Sequence, residues 1–459
     1  MKKFCINFVF IQVLLLISLS LGAKDFFSGK VKKLKWDNLE VIYLEDDRFP
    51  TYQFNIYFAD GALSDGSVKG VTSAAFNFMT LGTRRFNRQD IADNLEFYGT
   101  SYGSNVTHEF SSYSVSGLVK DIGPTVKKIC HLFQDASYPK EDLNKEKKRI
   151  LDSFENLVSS PGALASRAFR EESLSGTPYS YPAEGKTTDV KKWNKSLLSK
   201  KLDYFNKSVK KRIYITGPKE VLLIKNVVNN ECGWKGQGTF ERVVNYKKPT
   251  KHLKPKITLI PIPQANQAQV RIGKFLSNDE INEPELMQLG SHFLGGGFTS
   301  RLMRVLRVES GLTYGVGAFA GGQKQYGRAG ISTSTKVESV GLLLEKTKET
   351  IKKASAGEIS PANLLRAQGS LAGSYPFGFE STSSYLSQLT YLDHRGEPYS
   401  SLFDFPEKVR AFNSEQVAKM IQSLYGWEEQ SITIVGPRSL KKILEKYGDV
   451  TVKNYKKFL

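Results

Sequence analysis

The chain has 459 residues and a formal charge of +19. With 40% hydrophobic and 24% charged residues it carries enough apolar side chains for packed cores, which excludes an intrinsically disordered chain. Its length exceeds what a single core serves, so two or more domains are expected. A basic balance first suggests nucleic acid, but the Lys and Arg residues are dispersed and form no aromatic-basic RNA-binding signature, so no nucleic-acid partner is expected. The charge fits a solvated basic surface or a preference for acidic partners, substrates or membrane surfaces.

Lys2 and Lys3 give a basic start, and residues 6–21 are almost wholly apolar. Gly22 and Ala23 follow, then Lys24 and Asp25. That order predicts a secretory signal peptide over residues 1–23, cleaved after Ala23, with an uncleaved N-terminal anchor as the alternative. No Cys follows the apolar run, which argues against a bacterial lipid anchor. No later stretch offers the roughly 20 apolar residues of a spanning helix. The expected destination is the periplasm. Cys5 leaves with the signal, so the mature chain keeps Cys130 and Cys232. Two distant cysteines are expected as buried thiols, with one long-range disulfide as the alternative in an oxidising compartment.

The predicted elements run as follows. Residues 39–44 and 52–58 alternate like strands, 71–79 and 88–97 read as helices, and 112–119 alternates again. Helices are predicted over 122–134 and 140–157, and a strand over 212–216. A Lys- and Pro-containing stretch at 243–255 reads as a linker that should pack closely. The second half opens with strands at 256–262 and 268–275 and a helix at 282–293. The order of the first half then roughly recurs.

The recurrence has residue-level support. Tyr214-Ile215-Thr216-Gly217-Pro218 returns as Ile432-Thr433-Ile434-Val435-Gly436-Pro437, 219 residues on. Asp142-Leu143, which opens one helix, returns as Asn363-Leu364, 221 residues on. Two independent pairs with nearly one offset imply a duplicated domain. The expected class is α+β, with two homologous α/β-sandwich-like domains over 24–245 and 246–459. Each is a mostly antiparallel sheet covered by helices.

One segment is specific. Leu294-Gly295-Gly296-Gly297-Phe298-Thr299-Ser300-Arg301-Leu302 leads into Leu306-Arg307-Val308-Glu309-Ser310-Gly311-Leu312-Thr313-Tyr314. It resembles the C-terminal signature of the insulinase, pitrilysin and mitochondrial-processing-peptidase family of zinc metallopeptidases. Gly61-Ala62-Leu63 with Asp65, Gly70-Val71 and Leu81-Gly82-Thr83 are similar to the segments that flank the family's zinc helix. The likeness covers nearly the whole mature chain.

The resemblance implies one zinc in active members, held by His-x-x-Glu-His on a helix and a distal Glu. Residues four apart share a helical face, so both imidazoles reach one metal, and the Glu between them activates the bound water. Here the two His positions fall on Ser73 and Asn77 and the general base on Phe76. The distal Glu falls on Ser153, with Asp152 and Glu155 leaving a shift of a residue or two open. A hydroxyl, a phenyl ring and an amide do not replace that set, so no metal site is expected in this chain. His108, His131, His252, His292 and His394 show no ligand spacing. His108-Glu109 stands in a strand-like context, where a surface or packed pair is the ordinary reading.

Arg307 and Tyr314 match a pair that the family projects into its catalytic chamber, where Arg holds the scissile carbonyl and Tyr donates to the developing oxyanion. In two-subunit members one chain carries zinc and the other supplies this pair. The resemblance therefore implies a zinc-less subunit that acts on peptides with a zinc-bearing homologue. Retention for packing alone is the competing reading: Arg307 pairing with Glu309, and Tyr314 as a core or interface aromatic. Gly295, Gly296 and Gly297 lack the Lys-Ser/Thr continuation of a phosphate loop. They are candidate substrate contacts by analogy with a longer loop in the relatives. The alternative to a pseudopeptidase subunit is a non-enzymatic peptide-binding or scaffold protein of the same fold.

Overall fold

The computed structural model describes residues 30–234, 238–249, 253–263 and 265–459. The expected signal segment and His252 lie outside the described residues. The first sheet is built from β1 (Val31–Trp36), β2 (Leu39–Glu45), β3 (Thr51–Phe58), β4 (Ser101–Val106), β5 (Ser111–Leu118) and β6 (Lys211–Gly217). Its longer helices are α1 (Val71–Phe78), α2 (Arg88–Phe97), α3 (Ile122–Asp135), α4 (Lys140–Glu155), α5 (Pro161–Ser173) and α6 (Lys195–Lys207). The second sheet uses β7 (Lys256–Pro261), β8 (Gln267–Ser277), β9 (Val316–Gly322), β10 (Tyr326–Lys336), β11 (Ser431–Gly436) and β12 (Asp449–Val452). Its longer helices are α7 (Pro284–Gly295), α8 (Val340–Ser355), α9 (Pro361–Ser374), α10 (Thr382–Arg395), α11 (Ser401–Ala411) and α12 (Ser414–Tyr425).

The sheet orders are β1-β2-β6-β3-β5-β4 and β12-β7-β11-β8-β10-β9. From the second strand onward the two match element for element, including one parallel pair, β2 with β6 and β7 with β11. The remaining pairs in that shared part are antiparallel. The duplication read from the two repeated segments is thus a duplicated topology. The halves differ at one edge. β1 precedes β2 and pairs with it antiparallel, whereas β12 comes from the end of the chain and pairs parallel with β7.

The central strands are buried on both faces. In β2 and β6, Val41, Tyr43, Ile213 and Ile215 pack under the first half's own helices, with the aromatic side chains of β3. Ile42, Leu44 and Tyr214 point to the other face, where Tyr385, Leu386, Leu389 and Leu392 of α10 cover them. The second sheet shows the reciprocal arrangement. Ile257, Leu259, Ile432 and Ile434 face its own helices, while Ile260, Ile262 and Val435 are covered by Leu164, Ala165 and Ala168 of α5. Each half lends one helix to the other's sheet. Two covered faces explain why apolar residues occupy both sides of these strands.

Polar contacts seal the exchange. Glu109, buried in the connection between β4 and β5, accepts from the Tyr179 hydroxyl at 3.0 Å and from the backbone N–H groups of Lys324 and Gln325 at 2.9 and 3.0 Å. His394 of α10 bridges Glu109 at 3.3 Å and the Tyr57 hydroxyl at 2.8 Å. Asp393 accepts from Tyr214 at 2.8 Å and Tyr399 at 2.7 Å. Across the other seam, Lys453 reaches Glu172 at 2.6 Å and Arg271 donates to the Gly162 carbonyl at 3.1 Å. Within the 243–255 linker Tyr246 packs edge-on against Tyr179 and donates to the Gln325 carbonyl at 2.8 Å.

The cysteines depart from the expectation of two free thiols. Cys130 on α3 and Cys232 form a disulfide, with Cα atoms 4.4 Å apart. Their separation of 102 residues hid their proximity, which the packing of α3 against the segment 225–232 creates.

Candidate functional site

The segment before α1 is fixed by its residues. Gly70 adopts φ +75, and a Cβ there would meet the Glu184 carbonyl oxygen at 2.5 Å. Asp65, fully buried, accepts from the Thr72 backbone N–H at 2.8 Å and from the Thr72 hydroxyl. Burial pushes its carboxyl above the usual range, opposed by Thr72 and Lys201. Tyr138 ties the middle of α1 by donating to the Ala75 carbonyl at 2.8 Å.

On that helix the four degenerate positions divide. Ser73 and Asn77 of α1 line one cavity of about 640 Å³ together with Ser153 of α4. α4 presents Glu146, Arg149, Ile150 and Ser153 to it, the spacing of one helical face. Neither Asp152 nor Glu155 lines it, whereas Ser153 does. Phe76 is elsewhere. It is 1% exposed and sits edge-on to Phe58, Phe133 and Phe205 with ring centroids 5.2, 5.9 and 5.1 Å away.

The side chains lining the cavity have other engagements. The Ser73 hydroxyl donates to the Ala183 carbonyl at 3.0 Å, and Asn77 accepts from Ser104 at 2.8 Å. Ser153 donates back to the Ile150 carbonyl at 2.7 Å. Glu146, the nearest carboxylate on α4, is clamped by Arg149 at 2.8 Å and Arg88 at 3.1 Å. Burial pushes its carboxyl up, yet those two guanidiniums hold it below the usual carboxylate range. Among the described residues no group of three His, Cys, Asp or Glu converges. The donor chemistry therefore does not fit zinc. Two hydroxyls and an amide are poor ligands for it, and the base position is part of an aromatic core.

The histidines have ordinary partners. His108 contacts the Tyr181 carbonyl at 2.7 Å, His131 pairs with Glu231 at 3.1 Å, and His292 meets Ser370 at 3.1 Å. His108-Glu109 is a packed pair located in the hairpin connection rather than in a strand.

Arg307 lies on a π-helical segment, Met303–Glu309. Such segments are rare and recur at functional sites. Buried Leu306, Leu312 and Thr313 pin the segment down, with the Leu312 N–H donating to the Leu306 carbonyl at 2.8 Å. Arg307 and Tyr314 are left facing outward, Tyr314 at 87% exposure. Glu309 pairs with Arg304 at 3.1 Å rather than with Arg307. Arg307 lies over the exposed Phe298 ring at 5.3 Å from its centroid. The glycine run is split. A Cβ on Gly295 would meet the Ala318 backbone nitrogen of β9 at 2.5 Å, so this glycine permits close packing, whereas Gly296 and Gly297 are exposed.

Residues 213–371 match the protein family described as peptidase M16 inactive domain. Over that stretch the chain is similar to the M16 peptidases. A non-peptidase homologue named YmxG from Helicobacter pylori is 23% identical over 453 residues, covering 96% of this chain and all of that protein. An uncharacterized zinc protease of Streptomyces coelicolor is 20% identical over 383 residues, covering 81% of each chain. Among solved structures, a peptidase M16 inactive domain from Pseudomonas fluorescens superposes with a TM-score of 0.78 at 21% identity, covering 89% of this chain and 98% of that one. The M16 relatives thus include proteins named as peptidases and one named as a non-peptidase. The cavity chemistry of this chain sides with the latter.

Sequence reasoning missed a second cavity, of about 350 Å³, between α7 and α9. α9 presents Asn363, Arg366, Ala367 and Ser370 to it, the same helical-face spacing as α4 in the first cavity. The repeat offset was the available signal, since α7 and α9 stand in the second half where α1 and α4 stand in the first.

Proposed function

We propose that this chain is a zinc-less M16 subunit that works beside a zinc-bearing homologue. In that assembly it forms part of a peptide-degrading chamber and contributes Arg307 and Tyr314. One observation carries the reading: the metal cleft is chemically dismantled while the Arg307-Tyr314 pair is held outward by a buried framework that uses neither side chain. A guanidinium and a phenol presented this way can hold a scissile carbonyl and stabilise an oxyanion formed at a metal on another polypeptide. Export to an oxidising compartment such as the periplasm agrees with the predicted signal segment and with the Cys130–Cys232 disulfide.

The test is co-expression with a zinc-bearing M16 homologue and measurement of peptide turnover. Arg307→Ala is expected to lower kcat by about 10²-fold, the range for loss of one oxyanion-type contact, while the partner keeps its zinc. Unchanged turnover refutes the assisting role. A second reading, peptide binding without cleavage, is favoured by β9. This strand terminates the second sheet and begins two residues after Tyr314, so a peptide could add at that end of the sheet. Saturable peptide affinity of the isolated chain, with no zinc partner in pull-downs, would select that reading.

A further inference from the structure

We propose that the cavity between α7 and α9 binds the free carboxylate end of a peptide. Three guanidiniums, those of Arg301, Arg304 and Arg366, line it, and among the described residues no carboxylate does. Their partners are peripheral. Arg301 has Glu358 at 3.6 Å and Arg304 has Glu309 at 3.1 Å, both carboxylates more than half exposed. Arg366 reaches Asn363 Oδ1 at 3.4 Å. Exposed pairs of this kind are worth little and yield readily to a desolvated anion.

Two buried groups in the lining lack partners among the described residues. Ser300 is 6% exposed and its hydroxyl has no hydrogen-bond partner, and the Arg301 Nε is likewise unmatched. Buried donors are normally satisfied, so unmet ones in a cavity wall mark where a ligand acceptor belongs. Ser300 also opens the turn into the segment that carries Arg307, where the first backbone N–H groups favour negative charge. Guanidiniums match carboxylates bidentately.

The rest of the lining selects an organic anion over an inorganic one. Phe293, Phe298, Val308 and Ala367 form an apolar wall beside the arginines. A bare phosphate would use none of it, whereas the last residue of a peptide offers both a carboxylate and a side chain. Phe298 lines the cavity and also lies under Arg307, so an anchored peptide would run on toward the Arg307-Tyr314 pair. The inference concerns this chain alone and requires no zinc-bearing partner.

The experiment uses the purified full chain and a fluorescein-labelled pentapeptide of Ala and Phe, with a free C-terminus and as its amide, read by anisotropy. The free acid is expected to bind at least tenfold more tightly than the amide, with binding weakened by salt. Arg366→Gln and Arg304→Gln, both at exposed positions, should each lower acid affinity about tenfold and leave the amide unchanged. Equal binding of acid and amide, no saturable binding, or indifference to both substitutions would overturn the proposal. So would displacement of the peptide by inorganic phosphate at equal or lower concentration, which would indicate a simple anion site. Unchanged turnover of Arg307→Ala in the co-expression experiment leaves this result untouched, so the two readings fail separately.

Discussion

Restoring three zinc ligands tests whether the dismantled cleft is where the geometry locates it. The variant is Ser73→His with Asn77→His and Ser153→Glu, leaving Phe76 in place. All three positions line one cavity, and Ser73 and Asn77 lie one helical turn apart. Without metal the variant loses the bond from Ser73 to the Ala183 carbonyl, about 1 kcal/mol, and the exposed contact of Asn77 with Ser104, roughly half that. Glu at the exposed Ser153 position is helix-favouring by a few tenths of a kcal/mol. The net cost is about 1–2 kcal/mol. Zinc at a hundred times its Kd returns about 2.7 kcal/mol by mass action. For a chain of this size that corresponds to a rise of about 3 °C in Tm on adding zinc, reversed by a chelator and absent from the unsubstituted protein. Metal analysis should give one zinc per chain, and no peptide hydrolysis should appear, because the position of the base is occupied by Phe76. Adding Phe76→Glu would remove a ring packed against three others and bury a carboxylate, costing more than about 4 kcal/mol. Sub-stoichiometric zinc with an unmoved Tm in the folded triple variant would show that the three positions do not converge.

Other perturbations separate structural from functional residues. Reducing or replacing the Cys130–Cys232 disulfide, which closes a loop of about a hundred residues, should lower stability by about 2–5 kcal/mol in urea unfolding. Glu109→Ala strands the Lys324 and Gln325 N–H groups and the Tyr179 hydroxyl, and should cost about 3–5 kcal/mol, with Glu109→Gln losing less because it keeps one acceptor. Burial pushes the Lys211 ammonium, which donates to the Val209 carbonyl at 2.8 Å and lies over the Phe58 ring, down to about 8. The folded state therefore holds fewer protons than the unfolded one between pH 8 and about 10.5, and stability should rise with pH across that window. Lys211→Met should abolish that rise and stabilise the protein at pH 7 by about 2 kcal/mol after the lost carbonyl bond; a variant that keeps the slope would exclude Lys211 as its source.

What was legible in the sequence follows from how local each signal is. The helices 122–134 and 140–157 carry apolar residues at helical spacing and appear as α3 and α4, the latter ending at Glu155 where a 3-10 turn takes over. The alternation in 52–58 and 112–119 gives β3 and β5. β4, with Ser101, Gly103, Ser104 and Asn105 on an exposed edge, has no apolar alternation to read. The flanking Gly70-Val71 and Gly82-Thr83 set the register that picks out Ser73 and Asn77, and the resemblance alone points to Ser153; all three line one cavity. The disulfide and the cluster of Arg301, Arg304 and Arg366 were invisible because they join segments tens to a hundred residues apart with no shared motif.

The lent helices make a stronger statement about the duplication than the repeated segments do. α5 belongs to the first half by sequence and to the second by burial, and α10 does the reverse. If either half stood alone, one face of its sheet, Ile42, Leu44 and Tyr214 in one case and Ile260, Ile262 and Val435 in the other, would meet water. At about 1.5–3 kcal/mol for each large apolar side chain exposed, that loss matches the whole stability of an ordinary domain. The two halves were therefore free to diverge in their clefts but not to separate. Such coupling would allow the first cleft to lose its ligands without loss of the fold. The shape of the second half, including the outward Arg307 and Tyr314, depends on the first half remaining folded and in place.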